Sequence, residues 1–82
     1  MIRWQLHVRP KDMTALEDAV SMWESSGAKI VEVRDLPNGN RGVQLEGNDV
    51  SVAFYVGCAF QREVQRMRAT EVINLLNEGV RT

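Results

Sequence analysis

The chain has 82 residues, which is enough for one domain with one hydrophobic core and too few for two. Hydrophobic residues make up 44% of it and charged residues 26%, a balance that favours a globular protein over a disordered one. The net charge of −1 excludes a strong overall attraction to nucleic-acid backbones or anionic membranes. One cysteine allows no internal disulfide, and no apolar run is long enough to span a membrane. We therefore expect a single cytoplasmic domain over residues 1–82.

The chain opens on a predicted strand over residues 2–9, where apolar and polar residues alternate. Its apolar side comprises Ile2, Trp4, Leu6 and Val8. A helix is predicted next, starting at Asp12 or Thr14, and Gly27 is expected to end it in the left-handed conformation. Trp4 on the strand and Trp23 on the helix are expected to be largely buried and close together.

Three further strands are predicted after this helix. Residues 29–35 are rich in β-branched side chains, and residues 43–46 alternate between apolar and polar side chains. Residues 50–56 also alternate, and both sides of that segment are largely apolar, so we expect it at the centre of the sheet.

The last predicted helix runs from about residue 59 to residue 78 and carries two apolar clusters. Phe60, Val64 and Met67 form the first cluster. The second cluster, roughly 160° away around a helix axis at 100° per residue, comprises Ala69, Val72, Ile73 and Leu76. Either the helix breaks near Thr70 and the second cluster returns to the core, or the helix is continuous and that cluster meets a partner.

These elements predict a small α+β domain with the order β-α-β-β-β-α. We expect an open-faced two-layer sandwich, in which both helices cover one face of a mainly antiparallel sheet. The uncovered face is expected to carry Arg3, His7, Arg9, Arg34 and Tyr55.

The sequence offers little that indicates catalysis. His7 lies on the polar side of the first strand, and no carboxylate lies in an apolar run that would raise its pKa. Cys58 is expected to be a small buried thiol at a strand-to-helix turn, and no residue spacing is typical of a metal site. We expect a protein that is not an enzyme and holds no cofactor or metal.

A nucleic-acid-binding function is the first alternative. The segment 41–45 resembles the start of the ribonucleoprotein motif of RNA-recognition domains, which implies RNA binding on an open sheet face. The two stacking positions of that motif hold Val43 and Leu45, neither of which offers a ring to a base. Binding through the arginines of the open face alone would be weak and sensitive to salt.

A small-ligand sensor is the second alternative. The segment 28–34, which follows a helix and a glycine, is similar to the middle of an ACT domain, a family with a ferredoxin-like sheet. The resemblance implies a regulatory ligand. The chain departs from the family at its Pro-Gly ligand loop, because Pro10 is followed by Lys11.

The remaining hypothesis is a protein-binding surface on the last helix, where polar residues and arginines precede the second apolar cluster. The predicted interface comprises Gln61, Arg62, Gln65, Arg66, Ala69, Val72, Ile73 and Leu76. The sequence thus favours a non-catalytic module that occupies the surface of a protein partner or of a second copy. Its small size and lack of catalytic motifs suggest an accessory regulator or inhibitor, of the kind that phages and mobile elements encode.

Overall fold

The computed structural model describes the backbone of residues 1–80 and the side chains of residues 1–70. The chain forms three strands and two helices, with short 3-10 turns on either side of the first helix. In chain order the elements are β1 (Ile2–Val8), α1 (Met13–Met22), β2 (Lys29–Asp35), β3 (Arg41–Gly47) and α2 (Val50–Val80).

The three strands form one antiparallel sheet with the order β1-β3-β2, so that β3 lies at its centre. Leu45 of β3 pairs with Trp4 of β1 on one side and with Ile30 of β2 on the other. The pairing of β2 is irregular between Ile30 and Glu32, where one extra residue forms a bulge. The α+β class and the antiparallel sheet are confirmed.

The core lies on the face of the sheet that carries Val43 and Leu45, both of which are 0% exposed. Apolar residues of both helices pack into this one core, and burying each large side chain contributes about 1.5–3 kcal/mol. The helix residues in it are Leu16, Ala19 and Val20 of α1 and Val52 and Val56 of α2. Trp4 and Trp23 are partly buried and pack against this core.

The fourth strand predicted over residues 50–56 is wrong, because this segment is the first part of α2. Asp49 caps the helix, since its Oδ1 accepts a hydrogen bond from the backbone N–H of Val52 at 3.2 Å. Val52 and Val56 are spaced by four residues, and in a helix both of them reach the core. The cap and this burial outweigh the strand preference of the valines, and β3 takes the central position instead.

The alternatives left open near Thr70 are settled in favour of a continuous helix, since α2 runs without interruption from Val50 to Val80. Thr70 does not cap a new helix. Its hydroxyl donates a hydrogen bond to the carbonyl oxygen of Arg66 at 3.1 Å, one turn earlier.

The turn after α1 depends on Gly27, which has a φ of 82° and lies in the left-handed region, as predicted. The start of α1 at Met13 favours Asp12 over Thr14 as the residue before the helix, although Asp12 forms no side-chain cap bond there.

Gly47 and Gly57 offer a matched test of how α2 packs on the end of β3. A Cβ on Gly47 would lie 2.8 Å from Cγ1 of Val52, a stiff β-branched side chain, whereas a Cβ on Gly57 would meet nothing within 4 Å. We expect Gly47→Ala to destabilise the fold by about 1–3 kcal/mol through overpacking. Gly57→Ala is expected to stabilise it by about 0.8–1 kcal/mol, because alanine is the better helix former.

The measurement is the free energy of unfolding from urea titration, with the helical circular dichroism signal as readout. Equal effects of the two substitutions would show that α2 does not pack on the end of β3 as described.

Candidate functional site

The side of α2 that points away from the core forms the outer face. The residues of this face follow the three-to-four-residue spacing of a helix, and all of them are exposed. The outer face comprises Phe54, Cys58, Gln61, Arg62 and Gln65. Val52, Val56 and Val64 lie on the other side of the helix and are buried, so α2 has one side fixed by the sheet and one side free.

A shallow groove of about 600 Å³ follows the first half of the outer face. Its apolar part is lined by Ala53, Phe54, Gly57 and Cys58. Gly57 contributes no side chain, which leaves space between Phe54 and the next turn of the helix. Gln61, Arg62 and Gln65 close the groove at its polar end. An apolar centre beside a polar rim is the arrangement found in protein interfaces.

Three aromatic rings meet at the start of the outer face. Trp23, just after α1, stacks on Tyr55 with ring centroids 4.7 Å apart and planes 12° apart. Phe54 meets Tyr55 edge to face at 5.8 Å. This contact holds Tyr55 against α1, while Phe54 remains 66% exposed. A large exposed ring beside a rigid neighbour is typical of a binding anchor.

The second half of the described outer face is basic. Between residues 50 and 70 the chain carries Arg62, Arg66 and Arg68 against a single acid, Glu63. Glu63 is half-buried and pairs with Arg66 at 2.8 Å. Arg62 and Arg68 are exposed, so this surface attracts negative charge.

The structure places five residues of the predicted interface, Gln61, Arg62, Gln65, Arg66 and Ala69, in exposed positions along α2. Val72, Ile73 and Leu76 lie outside the residues whose side chains are described. The interface itself stays a prediction. The sequence did not indicate Phe54 or Cys58 as site residues, because Phe54 was assigned to a strand and Cys58 to a buried turn. It placed Tyr55 on the open sheet face instead.

Cys58 is exposed, on the ninth residue of α2, which corrects the expectation of a buried thiol. The sequence carried one signal for this exposed side of a helix. Phe54, Cys58, Gln61 and Gln65 are spaced by four, three and four residues, which places them on one side only if residues 50–56 are helical.

The uncovered face of the sheet carries Arg3, His7 and Arg34, as expected, and all three are exposed. Arg3 pairs with Glu46 at 3.3 Å, and Arg34 pairs with Glu32 at 3.1 Å. The hydrogen bond to Glu32 raises the pKa of Arg34, so its charge stays fixed. Each arginine of this face therefore has its own carboxylate, and the face is close to neutral.

Two residues predicted on that face lie elsewhere. Tyr55 is on α2, because residues 50–56 are helical rather than extended. Arg9 follows the end of β1, and its Nε donates a hydrogen bond to Oδ2 of Asp12 at 3.0 Å. It borders a cavity of about 210 Å³ between the end of β1 and α2, which Gln61 and Arg68 also line.

Within the part of the chain that the structure describes, no three His, Cys, Asp or Glu side chains are grouped as a metal site requires. None of the helices within the described part of the chain is long and apolar enough to cross a membrane.

A comparison with protein-family models, curated proteins and solved structures found no significant match for the chain.

The neutral sheet face leads to a prediction about nucleic acids. Because Arg3 and Arg34 are paired with carboxylates and His7 is the one aromatic ring that the described strands place on that face, we expect only weak, non-specific binding. Fluorescence anisotropy with a short labelled single strand should show a signal at low salt that is lost by about 150 mM salt. Sub-micromolar, sequence-selective binding at physiological salt would contradict this prediction.

Proposed function

We propose that this protein is a small non-catalytic module that binds another protein through the outer face of α2. The observation that carries the proposal is the exposed ring of Phe54, which lines the apolar part of the groove and is followed by arginines on the same helix. In this proposal the protein works as an accessory regulator or inhibitor in the cytoplasm, by occupying a surface of its partner.

The composition of the outer face supports a protein partner over a nucleic acid. Aromatic residues and arginine are the residue types that supply most of the binding energy in protein interfaces. Phe54 supplies an apolar anchor, and Gln61 and Gln65 supply hydrogen-bonding groups beside it. The open sheet face, which is the alternative nucleic-acid surface, combines its arginines with paired carboxylates.

The charges of the outer face indicate the chemistry of the partner. Arg62 and Arg68 are exposed, and Glu63, the one acid between residues 50 and 70, is already paired with Arg66. A surface that presents an apolar pocket beside carboxylates would match this face. A second copy of the chain would bring the same arginines against each other, so the outer face favours a different protein.

The proposal predicts that one substitution at the groove abolishes capture of the partner. We expect Phe54→Glu to weaken binding by at least about 30-fold, since loss of a central aromatic anchor costs about 2 kcal/mol or more. Arg62→Glu should weaken it less, because a rim charge contributes mainly to the association rate. Tagged parent and variant proteins, incubated with native cell lysate, are compared by quantitative mass spectrometry of the retained proteins.

Met22→Glu is the matched control, because Met22 is a similarly exposed apolar residue at 59% but lies on α1. Circular dichroism verifies that all variants fold. A retained protein that disappears with Phe54→Glu and persists with Met22→Glu is the expected partner, and it should also shield Cys58 from alkylation. If every protein retained by the parent is equally retained by Phe54→Glu, the outer face is not the binding surface.

A further inference from the structure

The strand β2 is an edge of the sheet that the rest of the described chain leaves uncovered. Only its inner side pairs, with β3, and no other strand of the described residues lies on its outer side. Six of its seven residues are exposed. An open edge presents unpaired backbone N–H and C=O groups, which can accept another strand.

β2 also carries an apolar side chain at the margin of the core. Val33 pairs across the sheet with Val43, so both side chains lie on the face that the helices cover. Val43 is fully buried, whereas Val33 is 46% exposed. The core therefore ends at β2 with an apolar residue that is only half covered. β1, the other edge, ends in the buried Val8 on this face.

The charges on either side of Val33 are self-complementary. Glu32 and Arg34 lie on the uncovered face of the sheet, where they pair with each other through two hydrogen bonds of 3.1 and 3.2 Å. If two copies of β2 pair antiparallel about a two-fold axis at Val33, Glu32 of each copy lies directly opposite Arg34 of the other. A two-fold axis at Glu32 would instead oppose two like charges.

We propose that β2 pairs with β2 of a second copy in this register, which joins two three-stranded sheets into one sheet of six strands. The two Val33 side chains then cover each other and close the core at that margin. On the opposite face, each carboxylate lies between two guanidinium groups and each guanidinium between two carboxylates. This dimer leaves the outer face of α2 free, so the inference is independent of the proposed protein-binding function.

The first test exploits the charge pairing and uses the full chain. Glu32→Arg alone and Arg34→Glu alone each place like charges across the interface, so each should raise the dissociation constant of the dimer at least about tenfold. A 1:1 mixture of the two variants restores opposite charges at every pair and should dimerise as the parent does. Sedimentation velocity at about 100 µM protein measures the mass in each case.

The second test fixes the register by disulfide formation in a Cys58→Ser background. At the two-fold axis the Cα atoms of the two Val33 residues would be about 4.5–5.5 Å apart, within the range of a disulfide. Val33→Cys should therefore yield a covalent dimer under mild oxidation. Val31→Cys is the matched control, because Val31 is also exposed, at 39%, but the two copies would be about 13 Å apart along the strands.

A monomeric parent at about 1 mM would overturn the proposal, and so would single charge variants that dimerise as well as the parent. Val33→Cys that cross-links no faster than Val31→Cys would overturn the register and, with it, the inferred pairing. Phe54→Glu should remain dimeric, so loss of partner capture and loss of the dimer are separately observable.

Discussion

The structure depends on the packing of one central strand. Val43 and Leu45 of β3 are buried on the single covered face of the sheet, and both helices meet there. A strand of seven residues is only about 24 Å long, whereas a helix of 31 residues extends about 46 Å. The sheet therefore cannot cover α2 along its whole length. The last buried residue of α2 in the described set is Val64, and the exposure of Gln65, Arg66, Arg68 and Ala69 follows from this mismatch.

Three surfaces lie outside the core: the outer face of α2, the open face of the sheet and the edge at β2. They differ in charge, and this difference separates their expected roles. The outer face of α2 combines the exposed ring of Phe54 with exposed arginines and is the surface that we propose for a protein partner. The open sheet face balances Arg3 and Arg34 with carboxylates, so its attraction to an anionic polymer is weak. At the edge formed by β2, Glu32 and Arg34 lie on either side of Val33, which is the basis of the proposed pairing with a second copy. In these two proposals, the domain uses one surface for a different protein and another for its own copy.

Much of the fold could be predicted from the sequence, because β1 and β3 show the alternation that a half-buried strand requires and β2 is rich in β-branched residues. Residues 50–56 could not be assigned this way. Their valines satisfy both a period of two and a spacing of four, and β-branched residues favour the strand. Only Asp49, three residues before Val52, indicated a helix start, and its cap bond is visible only in the structure.

The candidate site could be predicted only in part, because residues 50–56 were assigned to a strand. The polar residues Gln61, Arg62 and Gln65 lie beyond the misassigned segment, so helical spacing was sufficient to group them. Phe54 and Tyr55 were placed on a sheet, and the stacking of Tyr55 on Trp23 joins residues more than 30 positions apart. Neither local periodicity nor composition encodes such a contact, because it depends on how α1 and α2 pack together.

The strand order β1-β3-β2 also determines the sequence in which the chain can assemble. β2 and β3 are separated by a short loop and can form a hairpin on their own, on a timescale of about 1–10 µs. β1 has no partner until β3 exists, since Ile2 pairs with Gly47 at the far end of the sheet. During synthesis from the N-terminus, β1 thus leaves the ribosome before its partner β3 has been made. The apolar side of β1 stays uncovered until the hairpin of β2 and β3 has formed, which makes the closure of β1 onto β3 the long-range step of folding.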